Sequence, residues 1–273
     1  MRFMVIRKTD QDTEAGVLPA AGMLEAMEGF EEQLQVAGIH CAGMALHPSE
    51  QAVRVNFHDG SISIYEGPFS EENELVAGFS MMEAASKQEL IEALERWPAQ
   101  PHDMTLEVRG GGCPGGLEGI GLKKSVVNVG QNQVHKRFLV LLKANPLAET
   151  GAIPSDQVLA AMAKRNEEGI RAGRLLAAEG LQVTASGSRL KFAGGKPFVL
   201  DGPFSETKEL IAGYWLLQEE SIADAIDWVK TYPYPFIEDA QVEIRQVQQE
   251  AEKAAALIPG AATSADVAAD LPA

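Results

Sequence analysis

Hydrophobic and polar residues follow one another along this chain as expected for a small α+β unit. An apolar run at 2–8 predicts a central strand, and apolar residues three and four apart over 20–37 predict an amphipathic helix. Alternation at 52–57 and 61–65 predicts two half-buried strands, which Asp59-Gly60 joins as a hairpin. Further patterns predict strands at 39–47, 76–83 and 104–109, and a helix that the capping box 86–89 opens and that ends before Pro98.

The same order of elements occurs a second time, 135 positions later. Glu66-Gly67-Pro68-Phe69-Ser70-Glu71 is answered by Asp201-Gly202-Pro203-Phe204-Ser205-Glu206, and nine of the thirteen positions from 66 to 78 are identical in the second copy. Random pairs would match at about one such position. The chain therefore predicts a first repeat at 1–109, a Gly-rich linker at 110–135, a second repeat at 136–246 and an Ala-rich, disordered tail at 247–273.

Each predicted repeat reads strand, helix, strand, hairpin, turn, strand, helix, strand. Without the hairpin this is the βαββαβ order of a ferredoxin-like unit, in which two helices cover one face of an antiparallel sheet. The other sheet face also carries apolar side chains, which must be buried. We therefore predict that the sheets of the two repeats pack against each other, so that the chain forms an intrachain pseudo-dimer of the dimeric α/β-barrel type. Further assembly into homo-oligomers stays open.

Composition and charge narrow the classes of function. The net charge is −16, which disfavours nucleic acid and anionic membrane surfaces as partners. No apolar run approaches a membrane span and the N-terminus reads as a strand rather than a signal peptide, so a cytoplasmic protein is expected. Two cysteines do not suggest a disulfide framework. Motifs for phosphate, dinucleotide or metal binding were not found, and the prediction is for no cofactor and no metal.

The motif at 201–215 resembles the YCII-related family, in particular its DGPF-domain branch. The first copy departs slightly, with Glu66 in place of Asp201. The resemblance implies a dimeric α/β-barrel-like assembly with a pocket near the motif. Relatives outside the DGPF branch are similar to small-molecule lyases that use a His-Asp pair, and some DGPF members accompany alternative sigma factors.

Two carboxylates, Asp201 and Glu66, are the candidate catalytic residues, as general acids or bases at the mouth of a cleft. Partial burial there would raise their pKa. The alternative is structural, since a carboxylate before Gly-Pro can cap the turn by accepting backbone N–H bonds. Pro68, Pro203, Phe69 and Phe204 are expected to fix and anchor the turn.

Six further residues are candidate ligand-binding groups. Lys8 and Lys143 end equivalent strands and could bind an anion, or could be solvated strand ends. Arg54 and Arg189 could bind a carboxylate through two hydrogen bonds, or could lie on the surface. The other two are Tyr214, a hydroxyl donor of the second repeat, and His47, an imidazole of the first repeat. His58-Asp59 is an alternative pair, which is more simply interpreted as a hairpin tip.

Two functions from different classes remain open, and whether the protein is an enzyme is undecided. One is the binding of a small molecule, with an acid as one option, near the DGPF turns, together with lyase- or isomerase-like acid/base chemistry. The other is a non-catalytic regulatory or ligand-sensing role linked to sigma-factor signalling. The second repeat after position 136 contains no histidine, so a His-Asp pair could form in the first repeat alone.

Overall fold

The computed structural model describes residues 1–17, 21–70, 74–98, 103–122, 135–194, 196–204 and 209–248. Two sets of elements follow one another in the same order, so the duplication in the sequence is also a structural one. Most of the predicted tail and residues 123–134 of the predicted linker lie outside these ranges. Within them, no helix has both the length and the apolar character that a membrane crossing requires.

The first repeat confirms the predicted strands and the two long helices, with bounds shifted by one to a few residues. A short helix at the start of the expected loop 9–19 was missed; Asp10 caps it by accepting the backbone N–H of Thr13 at 2.8 Å. The strands are β1 (Arg2–Lys8), β2 (His40–Ala45), β3 (Val53–His58), β4 (Ser61–Glu66), β5 (Val76–Glu83) and β6 (Met104–Gly110), and the helices are α1 (Gln11–Glu14), α2 (Ala21–Val36) and α3 (Lys87–Leu94).

The second repeat reproduces this order element by element. The predicted N-cap Ser155 is confirmed, since its hydroxyl accepts the backbone N–H of Val158 at 3.3 Å. The strands are β7 (Lys136–Lys143), β8 (Leu175–Gly180), β9 (Ser188–Ala193), β10 (Lys196–Asp201), β11 (Ile211–Glu219) and β12 (Asp239–Gln246), and the helices are α4 (Pro146–Glu149), α5 (Asp156–Arg171) and α6 (Ile222–Lys230).

The two repeats exchange their hairpins. One sheet has the order β10-β9-β6-β1-β5-β2 and the other has the order β4-β3-β12-β7-β11-β8. The β3-β4 hairpin of the first repeat therefore extends the sheet of the second, where Val53 pairs with Ile244 and His58 with Asp239. The β9-β10 hairpin extends the sheet of the first repeat through β6. Local alternation predicted the first hairpin and the repeat predicted the second, but neither contained information about which sheet a hairpin would join.

The apolar positions of the exchanged strands show why the exchange is stable. Val53, Val55 and Phe57 of β3 are buried in the core between the second sheet and its helices. Leu190 and Phe192 of β9 are buried in the equivalent core of the first repeat. Each repeat therefore completes its own hydrophobic core with side chains from the other, and neither core is complete without the partner repeat.

A third core separates the two sheets and confirms that they pack face to face. Met4 and Ile6 of β1 contribute to it from one sheet, and Leu139, Leu141 and Leu216 contribute from the other. All five side chains are fully buried. The fold is thus α+β, with two tandem ferredoxin-like repeats that form an intrachain pseudo-dimer of the dimeric α/β-barrel type.

The described part of the Gly-rich linker is held along the edge of the second sheet. Gly111 forms a bridge with Leu181 beyond the end of β8, and Ile120 forms one with Ala178. Val247 forms the equivalent bridge with Leu46 beyond β2, so the beginning of the predicted tail is also attached to the fold. The linker's glycines therefore serve close packing against β8 in addition to chain reversal.

Candidate functional site

Two networks of buried charges occupy equivalent places in the two halves. In each, two glutamates and a lysine from one repeat meet an arginine from the hairpin of the other repeat, together with a second arginine and a glutamate from a short helix. The first network consists of Lys8, Glu74, Glu107, Arg109, Glu149 and Arg189, and the second consists of Lys143, Glu209, Glu243, Arg245, Glu14 and Arg54.

The distances in the second network are those of direct ion pairs. The Nζ of Lys143 lies 2.6 Å from Glu209 and 3.1 Å from Glu243, and Arg54 reaches the same two carboxylates at 3.1 and 3.0 Å. Arg245 contacts Glu243 at 3.2 Å. Because Arg54 belongs to the exchanged strand β3, these pairs join the two repeats.

The first network has the same geometry, and its electrostatics follow from it. Arg189 of β9 lies 3.0 Å from both Glu74 and Glu107. Burial alone would raise the pKa of Glu107, but the surrounding Lys8, Arg109 and Arg189 outweigh burial and lower that pKa to about 2. In the second network the same balance holds the pKa of Glu243 below its usual range.

The four cations predicted as ligand-binding groups therefore form ion pairs with carboxylates of the protein itself. Lys8, Lys143, Arg54 and Arg189 are each at most 8% exposed, so the interpretation of solvated strand ends and surface arginines is wrong. Among the described residues, each network brings three cations together with three carboxylates. Within the described part of the chain, the charge of each of these four cations is therefore met by carboxylates of its own network.

The DGPF turns support these networks from the outside. Phe69 lies 4.0 Å from the guanidinium of Arg54, and Phe204 lies 4.4 Å from that of Arg189, both measured from the ring centroid. The two rings are half-buried and cover the arginines, whereas the sequence suggested that they anchor the turn in the core. Both Gly–Pro peptides are cis.

The glycines of these turns are required by close packing. A Cβ on Gly202 would lie 1.9 Å from the backbone oxygen of Thr184, and a Cβ on Gly67 would lie 1.7 Å from that of Ser49. No side chain fits at either position without a shift of backbone. The glycine of each turn is thus explained by close packing on a 3-10 helix, which is Ser49–Gln51 for Gly67 and Thr184–Ser186 for Gly202.

The two candidate catalytic carboxylates lie at the exposed ends of β4 and β10. Asp201 accepts a hydrogen bond from the Ser188 hydroxyl at 2.7 Å and lies 3.6 Å from the ammonium of Lys87. These two contacts, the hydrogen bond first, lower the pKa of Asp201, opposite to the rise expected for a partly buried acid. The prediction that these two carboxylates are partly buried is wrong. Asp201 accepts its hydrogen bond from the side-chain hydroxyl of Ser188, and not from a backbone N–H of its own turn.

The remaining candidates are separated from one another. Tyr214 is 1% exposed and lies between the sheets, 5.9 Å from the ring of Phe79. Burial and the Glu179 carboxylate raise the pKa of its phenol. His47 is half-buried, and its backbone oxygen accepts a hydrogen bond from Arg245 at 2.7 Å. His58 lies at the exposed hairpin tip, 3.5 Å from Asp59, as the simpler interpretation predicted.

A pocket with a cavity of about 90 Å³ opens in the second repeat. It lies between the second sheet and α5, and residues 113, 114 and 117–119 of the linker form part of its wall. The wall is mainly apolar and aromatic, with Trp215, Tyr232 and Phe236 as its rings. Of the eight candidate site residues, Lys143 alone lines it.

The polar residues that line this pocket are three acids together with Lys143, Asn145, Asn166 and Tyr232. Asn166 accepts a hydrogen bond from the Tyr232 hydroxyl at 2.9 Å. Three carboxylates line the wall: Glu118, which is exposed, Glu149 and Glu179. Glu179 is 5% exposed and lies 3.0 Å from Arg2. Burial raises its pKa, and the attraction of Arg2 offsets part of that effect.

This pocket was missed in the sequence because the predictions followed what the repeats share. The pocket is built where they differ: Asn166, Glu179 and Trp215 correspond to Glu31, Met44 and Ser80 of the first repeat. The sequence signal for the pocket is the set of positions at which the two repeats differ. In the described residues, no set of three or more His, Cys, Asp and Glu side chains is arranged to hold a metal ion.

Comparisons with solved structures return distant matches. An imidazole complex of chlorite dismutase from Candidatus Nitrospira defluvii is 12% identical, with 92% of each chain covered and a TM-score of 0.39. A doubly substituted form of that enzyme is 11% identical, with 92% of each chain covered and a TM-score of 0.36. A protein from Thermus thermophilus, described as a novel heme-binding protein, is 12% identical with 94% of each chain covered and a TM-score of 0.36.

Sequence comparisons identify the family. An uncharacterised protein of Rhizobium meliloti (strain 1021) is 34% identical over 61 residues, which is 22% of this chain, and the chain spans about half the length of that curated relative. The family model described as the YCII-related domain matches residues 1–109 and again 137–251. The chain therefore belongs to the YCII-related family and carries the domain twice.

Proposed function

We propose that this protein binds a small organic molecule in the pocket of its second repeat, and that the first repeat serves to complete and support that half. The observation that carries the proposal is the pocket itself, a concave, mainly apolar site lined by three aromatic rings and a few polar groups. Such a combination is the usual form of a small-molecule site. A ligand-binding or ligand-sensing protein is the function that fits it best.

The distribution of charges supports binding at this site over acid/base chemistry at the DGPF turns. Asp201 and Glu66 are exposed and do not line the pocket. The buried cations near the turns are paired with the networks' own carboxylates. The turns and networks therefore have a structural explanation, whereas the pocket has none.

A substitution that fills the pocket tests the proposal. Ala152 lines the pocket from the loop after α4, and Ala152→Trp would place an indole in the cavity. We expect small organic fragments that bind the wild-type protein in ligand-observed NMR to lose binding by about tenfold or more, because the indole occupies their volume.

The matched control is Val17→Trp, which introduces the same side chain at the equivalent position of the first repeat. Val17 is 54% exposed, so this variant should keep both the fold and the fragment binding. Fragments that bind Ala152→Trp as well as they bind the wild-type protein would show that they use another site, and the proposed function would then be lost.

A further inference from the structure

The wall of the pocket presents hydrogen-bond donors that the described part of the protein leaves unused. Trp215 is 5% exposed, and its indole Nε1 donates to no acceptor among the described residues. Tyr232 and Asn166 line the pocket beside it. Building on the proposed function, we infer that the ligand is an uncharged molecule with an apolar or aromatic body and a carbonyl oxygen that accepts hydrogen bonds from Trp215 and Asn166.

The neighbouring phenol does not satisfy the indole. The ring centroids of Trp215 and Tyr232 lie 4.7 Å apart, and the Tyr232 hydroxyl donates to Asn166 Oδ1 at 2.9 Å. Burial raises the pKa of this phenol, and the nearby indole N–H and Asn166 offset part of the rise, so the three polar groups lie together. The indole nevertheless lacks the geometry of a hydrogen bond to the Tyr232 oxygen. A buried donor without an acceptor is costly, and a ligand oxygen would remove that cost.

Asn166 supplies a second donor next to the first. Because its Oδ1 accepts the hydrogen bond from Tyr232, its Nδ2 carries the two N–H groups of the amide. The residue is 7% exposed and lines the pocket, and no described residue accepts a hydrogen bond from this nitrogen. A carbonyl oxygen has two lone pairs and can accept from an indole and an amide together. The first repeat has Ser80 and Glu31 at these positions, so this pair belongs to the second repeat alone.

The three acids of the pocket wall do not favour a cationic ligand. Glu149 accepts hydrogen bonds from the backbone N–H and the hydroxyl of Thr184. Glu179 lies opposite Tyr214 in the strand register, so its side chain is on the face between the sheets and not on the pocket side. Glu118 is exposed, and an ion pair with an exposed carboxylate contributes little in water.

An anionic ligand is disfavoured as well. Lys143 is the cation among the described residues of the wall, and its ammonium lies 2.6 Å from Glu209 and 3.1 Å from Glu243. The net charge of −16 adds a long-range repulsion of anions. Moving an unpaired charge into an apolar site costs far more than moving a carbonyl group that receives hydrogen bonds. An uncharged acceptor therefore fits the pocket better than the acid that the sequence left as one option.

Three ligands of similar shape test the inference: acetophenone, α-methylstyrene and benzoate. Acetophenone carries the carbonyl oxygen, α-methylstyrene has a methylene group in its place, and benzoate carries a negative charge. Dissociation constants are measured by NMR titration of the wild-type protein and its variants. We expect benzoate to bind about tenfold or more weakly than acetophenone. Because the hydrocarbon is more hydrophobic than the ketone, the ratio of their affinities is compared between variants.

Two variants and a matched control assign the hydrogen bonds to named side chains. Trp215→Phe should weaken acetophenone by about 3- to 10-fold and change α-methylstyrene by less than about twofold, because it removes the indole donor and keeps a ring. Asn166→Leu, which removes the amide donors, should act in the same direction. In the control Trp228→Phe the ratio should stay within about twofold, since Trp228 stacks on Tyr232 but is not among the residues that line the pocket.

An unchanged ratio of the two affinities in Trp215→Phe would overturn the hydrogen bond from the indole, and an unchanged ratio in Asn166→Leu would overturn that from the amide. An equal change in Trp228→Phe would attribute the effect to the aromatic cluster and overturn the assignment. Benzoate binding as tightly as acetophenone would overturn the uncharged ligand.

The variant Ala152→Trp distinguishes failure of this inference from failure of the proposed function. If any of these contrary results comes with binding that Ala152→Trp abolishes, the pocket remains a binding site and the ligand class is wrong. Absence of binding by all three ligands, or binding that Ala152→Trp leaves intact, would overturn both.

Discussion

Replacing Glu243 with alanine is expected to lower the free energy of unfolding by about 3–5 kcal/mol. Glu243 is fully buried and contacts Lys143, Arg54 and Arg245 at 3.0–3.2 Å. After its removal, the buried cations of the network outnumber the carboxylates around them. A buried charge without a compensating partner is among the largest single-site penalties to protein stability. Chemical denaturation followed by far-UV circular dichroism measures the loss.

Two comparisons make this result interpretable. Glu107→Ala removes the equivalent carboxylate of the first network and should cost a similar amount. Glu220→Ala removes the same charge from an exposed position and should change stability by no more than about 0.5 kcal/mol. If Glu243→Ala were as stable as Glu220→Ala, the networks would not hold the exchanged hairpins, and the structural explanation of Arg54 and Lys143 would fail.

Replacing Gly202 with alanine is expected to destabilise the protein by about 3 kcal/mol or more. The new Cβ would lie 1.9 Å from the backbone oxygen of Thr184, and a backbone atom cannot rotate away as a flexible side chain can. The DGPF turn would have to move off the 3-10 helix at Thr184–Ser186, which would also displace Phe204 from Arg189. The midpoint of thermal unfolding reports the effect.

The same substitution at Gly29 is the control. Gly29 lies inside α2, and a Cβ there would meet no atom within 4 Å. Alanine forms helix more readily than glycine, so Gly29→Ala should raise stability by about 0.5–1 kcal/mol. Equal behaviour of Gly202→Ala and Gly29→Ala would mean that the turn tolerates a side chain, and that close packing does not explain the glycine of the motif.

Most of the fold could be predicted from sequence because its determinants are local. The alternation at 52–57, the apolar run at 2–8 and the cap at Ser155 each act within a few residues, and the 135-residue offset transferred every prediction from one repeat to the other. The destination of the hairpins could not be predicted in this way. Pairing of β3 with β12 joins positions that are 181 (His58 and Asp239) to 191 (Val53 and Ile244) residues apart, and nothing local distinguishes it from pairing within the repeat.

The candidate site was less predictable for a related reason. Lys8 and Arg189 were selected as ligand-binding groups because they are charged residues at repeated positions, but their partners Glu74 and Glu107 are far away in the chain and come together only in the folded protein. The turns are likewise a repeated feature, with Gly67-Pro68-Phe69 recurring as Gly202-Pro203-Phe204. Trp215 and Glu179, which the two copies do not share, line the pocket instead.

The most direct test of the account uses the indole signals of the three tryptophans in ¹H–¹⁵N NMR spectra. Trp215 lines the pocket, whereas Trp97 packs against Phe30 in the first repeat, and Trp97→Phe and Trp228→Phe variants assign the signals. Titration with small organic fragments that bind the wild-type protein should shift the Trp215 signal progressively and leave that of Trp97 unchanged. A Trp215 signal that stays in place, or a shift confined to Trp97, would contradict the assignment of ligand binding to the second repeat.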